Sequence, residues 1–469
     1  MTWHPKRQKA ERSWRLLALV VVAVALPMVG ACKTFSDRTR ATRSALDASD
    51  LNAALRASNR ALGVRSAEAL PDSLGKNDAL LLLDRAMVLQ SVQKYALSSR
   101  DFQVADKALE VLDFSRSTSD EIVRYMFSDS AGPYKARPYE KLMLNTMNML
   151  NYLVPQNLEG ARVEARRFSV MRSYLLTAEG IDQAAVKRAG VPGSYFAGYV
   201  FEKAGAFDQA LRYYDEVLQA TEAPSLAAPI RRLTRLGSYR TPRLESANEA
   251  QDGSGVPLSA TESSEVLIVI SYGRVPPLVA KRIPIGLALT IAAAFLPPSA
   301  TQQANRLAAQ GLVTWINYPD VAPQPSQYPS PQVRIDGASY APDIIADVEA
   351  VARDAWAASK GRVMAAAVTR MLTRAAIGAG TGVAVGKASG KSGVGVLASM
   401  ITQASMVAAD KPDTRSWATL PARIAVVRAQ LSPGAHTIEI SVVGREHRLN
   451  TTAESGQWMV IDVMQLATP

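Results

Sequence analysis

The hydrophobic period of this chain changes once, across a stretch suited to neither helix nor strand. Residues 237–264 are crowded with Ser, Thr, Gly, Pro and Glu, as in Gln251-Asp252-Gly253-Ser254-Gly255, a composition typical of linkers. Before it, apolar residues recur at helical spacing. After it, they come in short β-branched runs or alternate with polar residues. The expectation is an α+β chain. An all-α helical-hairpin solenoid occupies 32–245, a linker 246–264, and a C-terminal mixed α/β or β-sandwich-like module 265–469.

In the first part, Met143, Met147, Leu150 and Leu153 fall on one helix face. Pro155-Gln156-Asn157 ends that helix, and Ala161, Ala165 and Phe168 begin another. The clearest local pattern is residues 198–218, with Gly198, Phe201, Gly205, Phe207, Ala210, Tyr214 and Val217. It resembles one tetratricopeptide repeat. Small Gly198 and Ala210 let two antiparallel helices approach, while Phe201, Phe207 and Tyr214 fill the seam. Ala161 and Ala105 are candidate equivalents of Ala210. Their separations of 49 and 56 residues depart from the regular period of about 34, so the array is expected to be degenerate.

In the second part, residues 266–270 read as a buried strand, and 311–318 as another. Pro342 fits a helix first turn, followed by an amphipathic face of Ile344, Val348, Val351, Ala355 and Trp356. Met364, Val368, Met371, Leu372 and Ala375 predict a second helix. Small residues over 375–408 predict a glycine-rich inset of two close-packed helices with a reversal between them. Residues 424–427 read as a strand buried on both faces. Ser432-Pro433-Gly434 turns it into a half-buried hairpin partner with Ile438, Ile440 and Val442. Residues 458–463 supply a last strand.

At the other end, 16–31 is a charge-free run preceded by Lys6, Arg7, Lys9, Arg12 and Arg15 and closed by Val29-Gly30-Ala31-Cys32. Basic flank, short apolar stretch and small residues make a secretory signal; the run is short of the roughly 20 residues that a spanning helix needs. Small residues directly before a cysteine resemble the lipobox of bacterial lipoproteins. That resemblance implies cleavage after Ala31 and acylation of Cys32, the only cysteine in the chain. Lys33 stands where an aspartate signals inner-membrane retention in Gram-negative lipoproteins, so the resemblance implies the periplasmic face of the outer membrane.

The chain carries +11 formal charge. Without the five bases and one acid (Glu11) of the signal region, 48 basic and 41 acidic residues remain. That mild excess suits an anionic lipid surface, peptidoglycan or an acidic partner. An export signal and the lack of a basic stripe interleaved with aromatics argue against nucleic acid. With Cys32 committed to lipid and only His436 and His447 beyond it, the usual nitrogen and sulfur ligands do not suffice for a zinc site, which would have to be dominated by carboxylates. Gly390-Lys391-Ser392 matches the end of a phosphate loop, but Val385 stands where the loop needs glycine. No cofactor is expected.

Asp343 and Asp347, at i and i+4, or either with Asp320, are the candidate acid pair for a peptidoglycan- or glycan-acting enzyme. A favourable helix N-terminus is sufficient to explain the first two and is the preferred reading. Glu262 and Glu265 precede the first predicted strand. Arg415 and Trp417, in the run Pro412-Asp413-Thr414-Arg415-Ser416-Trp417, fit either a buried corner or a ligand-facing loop.

Taken with Asp84-Arg85-Ala86, residues 161–167 and the Pro433-Gly434 turn, the run 413–421 gives the chain a resemblance. It is similar to a family of bacterial envelope lipoproteins with an N-terminal tetratricopeptide-like region. The resemblance implies a lipid-anchored envelope scaffold or adaptor, non-enzymatic, with no catalytic residues to carry over. Phe201, Phe207, Tyr214, Arg415 and Trp417 are then the candidate contacts to a protein partner. An assembly factor for an exported surface structure is the remaining reading.

Overall fold

The computed structural model describes residues 34–114, 134–249, 263–309, 315–323, 327–389 and 411–468. Cys32, Glu262 and the second helix of the expected glycine-rich inset, 394–408, lie outside them.

Four helical hairpins open the fold: α1 (Phe35–Asp47) with α2 (Leu51–Leu62), α3 (Asp78–Ser91) with α4 (Tyr95–Phe114), α5 (Pro138–Leu153) with α6 (Leu158–Thr177), and α7 (Gln183–Lys203) with α8 (Phe207–Leu218). The same turn closes each. Ser49, Gln93, Gln156 and Gly205 take positive φ of 56°, 60°, 60° and 73°. The next amide donates back to the carbonyl five residues earlier: Asp50 to Ala45 (2.9 Å), Lys94 to Leu89 (2.8 Å), Asn157 to Tyr152 (2.8 Å) and Ala206 to Phe201 (2.9 Å). These bonds close a Schellman-type C-cap. The fourth residue of each returning helix is small and fully buried: Ala54, Ser98, Ala161 and Ala210. Ala161 and Ala210 are the expected equivalents. The first of the expected set, Ala105, is displaced by Ser98, whose hydroxyl donates to Ala86 O (2.8 Å). At Gly198 a Cβ would come within 2.4 Å of the Tyr214 ring, the close approach expected of that hairpin.

Helices continue beyond the expected boundary. α9 (Ala227–Leu233) and α10 (Pro242–Glu249) extend the array into the stretch read as linker. Asp215 holds α10 by accepting from Arg243 Nε and Nη2 (both 2.9 Å), and Leu244 is buried.

The C-terminal strands form two four-stranded sheets. One has the order β10-β1-β7-β6, from β1 (Ser264–Tyr272), β6 (Asp343–Asp347), β7 (Arg423–Leu431) and β10 (Trp458–Gln465). Its β1–β10 pair is parallel and the others antiparallel. The second has the order β5-β4-β8-β9, from β4 (Gln332–Ile335), β5 (Ala338–Tyr340), β8 (Gly434–Val442) and β9 (Arg445–Ala453). The turn at 432–433 therefore carries the chain from one sheet to the other. β8 pairs with β4 and β9 instead of completing a hairpin with β7.

Every residue of β1 is buried because both faces are covered. Val266, Ile268 and Ile270 pack against Ile438, Ile440 and Val442 of the second sheet. Leu267 and Val269 share a core with the helical hairpins, as do Ile424, Val426, Val460 and Met464. The two parts of the sequence thus build one three-layer body: hairpins, mixed sheet, antiparallel sheet. One face of the hairpin array is therefore covered by the chain's own sheet.

A satellite core lies to one side. It joins the ribbon of β2 (Leu278–Pro284) and β3 (Trp315–Val321), α11 (Ile285–Ala292), α12 (Pro298–Ala309) and the middle of α13 (Val348–Ser389). Sequence spacing predicts two helices where α13 runs unbroken for 42 residues. Gly361 does not break it; a Cβ there would meet the Phe295 ring at 2.4 Å. The helix also begins later than expected. Residues 343–347 are strand, and Asp347 caps α13 by accepting from Ala350 N (2.7 Å). Among the described residues, no helix is long and apolar enough to cross a membrane.

Candidate functional site

The residues expected to meet a partner turn inward. Phe201 is 3 % exposed, Tyr214 and Trp417 0 %; Phe207 is half-buried and packs on the main core. Tyr214 donates to Glu202 (2.6 Å) and accepts from Arg428 Nη1 of β7 (3.1 Å). Its hydroxyl is therefore an internal tie between solenoid and sheet. Around it lies a buried ionic cluster. Arg428 donates to Glu202 Oε1 (2.7 Å) and to Glu265, and Lys203 donates to Glu265 Oε2 (2.8 Å). Arg232 also reaches Glu202. Burial opposes the charge on Glu202, but Arg428, Lys203 and Arg232 outweigh it and hold the carboxyl well below its usual range. Glu265 sits within β1, not ahead of it, and anchors the same cluster.

Trp417 is likewise structural. Its ring meets Phe102 edge-on at 5.8 Å. Its Nε1 donates to Thr419, and Thr419 donates to Asp84 Oδ1 (2.7 Å). Its backbone N donates to Glu140 Oε1 (3.1 Å). The run 413–421 and Asp84-Arg85-Ala86 therefore meet, and they do so to pin the C-terminal part into the hairpins. Arg85 pairs with Asp101 on two bonds (2.6 and 3.0 Å).

The acid pair does not converge. A bulge between Ile344 and Ala346 sets Asp343 across from Val426 and Asp347 across from Arg423, so the two carboxyls leave opposite faces of the strand. Asp343 accepts from Ser225 N (2.6 Å) and Asp347 pairs with Arg423 (2.7 Å). Asp320 accepts from Lys281 (3.1 Å), Tyr318 (3.0 Å) and Trp356 Nε1 (2.9 Å). Both nitrogens of His436 are taken, by Asp336 (2.5 Å) and Ser432 O (2.7 Å). Among the described residues no group of acids and histidines is placed to hold a metal ion.

A different residue stands out. Asp462 lies on β10 between Val460 and Met464, on the face turned to the hairpins. It is 8 % exposed, and neither carboxyl oxygen has a hydrogen-bond partner. Burial alone pushes its pKa up to about 7, and its charge in turn adds to the burial that raises Tyr95. Asp462 borders a cavity of about 550 Å³. One wall is β10 and another is β9, each the edge strand of its sheet among the described residues. The third comes from the hairpin turns, with Ser49, Gln93 and Val154. His447 lines it too, with its Nε2 buried and unpartnered. The site thus combines an opening at the sandwich edge, two edge strands, and a buried acid without a hydrogen-bond partner.

Arg415 borders a second cavity, of about 560 Å³, beside α13. In comparisons with known proteins, no family model, no curated protein and no solved structure matches the chain.

Proposed function

We propose that this chain is a lipid-anchored adaptor of the cell envelope, non-enzymatic, which takes an extended segment of a protein partner at the open edge of its sandwich. The observation that carries the reading is Asp462. A buried carboxyl without a single donor costs free energy that a purely structural core would avoid by an apolar residue. A partner bearing an ammonium or guanidinium removes that cost and fixes its own register. Two edge strands beside it suit an added strand, whose main chain supplies affinity while one side chain supplies specificity. The anchor reading is supported by the lipobox pattern at Cys32. It is also supported by the start of α1 at Phe35, capped by Thr34 (Asp37 N to Thr34 Oγ1, 3.2 Å), which holds the body close to its tether.

A photo-crosslinker at Asn450, on the cavity rim, tests the reading in cells, with one at Val170, 71 % exposed on α6, as control. A defined partner captured at Asn450, absent at Val170 and lost on Asp462→Asn, is expected. Equal capture at both positions, or capture indifferent to Asp462→Asn, would refute it. The intact mass of the mature amino terminus tests the anchor separately: acylated Cys32 is expected, and an unmodified cysteine refutes it.

A further inference from the structure

A helix at a protein surface turns charged or polar residues outward, and α11 does not. Residues 283–305 hold no charged side chain. Ile285, Ala288, Leu289 and Ala292 of the helix are buried in the satellite core, while Gly286, Leu287 and Thr290 face outward. The 3-10 turn that follows, Ala293–Phe295, has no buried residue. Leu287 is 51 % exposed and Phe295 50 %. The β2–β3 ribbon adds a third large side chain. Trp315 is 46 % exposed and stands across the ribbon from Pro284, the residue at which α11 starts. Trp315 and Leu287 therefore lie at one end of the uncharged face and Phe295 at the other.

Charge narrows what covers such a face. From 281 to 319 the sequence has three basic residues, Lys281, Arg282 and Arg306, and no acid; all three are exposed. The next acid, Asp320, is shared by two bases, Lys281 (3.1 Å) and Lys360 (3.7 Å). Arg282 donates to the neutral side chain of Asn317 (3.1 Å). The rim is thus of one sign and matches a surface that is itself of the opposite sign throughout. Leucine and aromatic side chains on an uncharged helix face, flanked by bases, suit the boundary between headgroups and acyl chains of an anionic bilayer. With eight residues, α11 is far too short to cross a bilayer, so it lies along the surface.

We infer that the outer face of α11, with Phe295 and Trp315, is a membrane-contact surface that seats in the headgroup region of an anionic lipid bilayer. From the anchor reading it takes only that a bilayer is close by. A chain without an acyl group tests it alone, so the two fail separately. Cys32→Ser in the mature chain removes the only cysteine, and Leu287→Cys then carries an environment-sensitive fluorophore. Vesicles are of phosphatidylcholine, with or without about one third phosphatidylglycerol. A blue shift on the anionic vesicles is expected, and none from the same label at Val163→Cys, an exposed apolar position on α6. Sedimentation of the unlabelled chain gives the affinity. Leu287→Glu with Trp315→Glu should weaken it at least about tenfold with an unchanged melting temperature. Val163→Glu with Leu236→Glu makes the same change of charge at exposed apolar positions elsewhere and should leave it within about twofold. No vesicle binding, equal binding to both kinds of vesicle, or equal loss in the two double variants overturns the inference. So does a Leu287→Cys label already blue-shifted without vesicles, which would assign the face to a protein occupant, another stretch of this chain or a second copy.

Discussion

Replacing Asp462 with asparagine should change how stability depends on pH. The folded carboxyl titrates at about 7, against 3.8 for an unhindered aspartate. The difference is roughly three pH units, each worth about 1.4 kcal/mol, so the ionised side chain destabilises the fold by about 4 kcal/mol. The folded pKa is raised, so the native chain keeps a proton that the unfolded chain gives up between about pH 4 and pH 7. This contribution is therefore fully present below about pH 4 and declines to nothing as pH passes 7. The asparagine variant has no such titration. Asp84, also raised to about 7 by burial against its Thr419 hydrogen bond, is present in both proteins and cancels. Between pH 4.5 and 8, Asp462→Asn should gain about 3 kcal/mol on the parent. At about 2 cal/mol/K per residue of unfolding entropy, that is roughly 3–4 °C for a chain of this size. Melting temperatures of parent and variant by calorimetry across this range measure it. Parallel curves would refute the claim that Asp462 is buried without a partner.

Three further outcomes follow from the packing. Gly198→Ala puts a methyl into the Tyr214 ring and should cost about 1–3 kcal/mol, read as a lowered denaturation midpoint. Trp417→Ala should cost about 3–5 kcal/mol and raise protease cleavage in 411–422, because that segment is tied to the hairpins through Trp417 and Thr419. Arg428→Met leaves Glu202 and Glu265 short of their shared cation and should cost about 3–5 kcal/mol. Adding Glu202→Gln and Glu265→Gln should recover most of it in the same denaturation assay.

How much of this is legible in the sequence depends on range. The fourth hairpin is readable because Gly205 and Ala210 carry the turn and the contact in their own chemistry. The other hairpins use the same geometry with Ser49, Gln93 and Gln156 at positive φ and Ser98 at the contact, residues that do not announce it. Hence Ala105, seven residues beyond Ser98, is the better match on residue type alone. The packing between the helical and the sheet-rich regions is not legible, because apolar period reports that a face is buried, not against what. Leu267 and Val269 pack on helices distant in sequence, which no local pattern can name. Burial of Phe201, Tyr214 and Trp417 has the same origin. A spacing of i, i+4 fits one face of a helix and one face of a regular strand alike, so spacing does not decide the element at Asp343 and Asp347, and the bulge that parts them leaves no signal. Asp462 does leave a signal: an acid two residues from Val460 and two from Met464 in a strand must share their face. The face of α11 leaves half of one: 283–305 is visibly without charge, but which of its apolar residues stay outside is set only by the fold.

The claim on which the account turns is that the open sandwich edge at Asp462 is the docking site. A short extended peptide with one central lysine, and its twin with norleucine, tests it by calorimetric titration at pH 8. The account predicts that the parent binds the lysine peptide at least about tenfold more tightly, that Asp462→Asn abolishes the preference, and that the preference narrows at pH 5.5. Equal affinity for the two peptides, or a preference that survives Asp462→Asn, would contradict it.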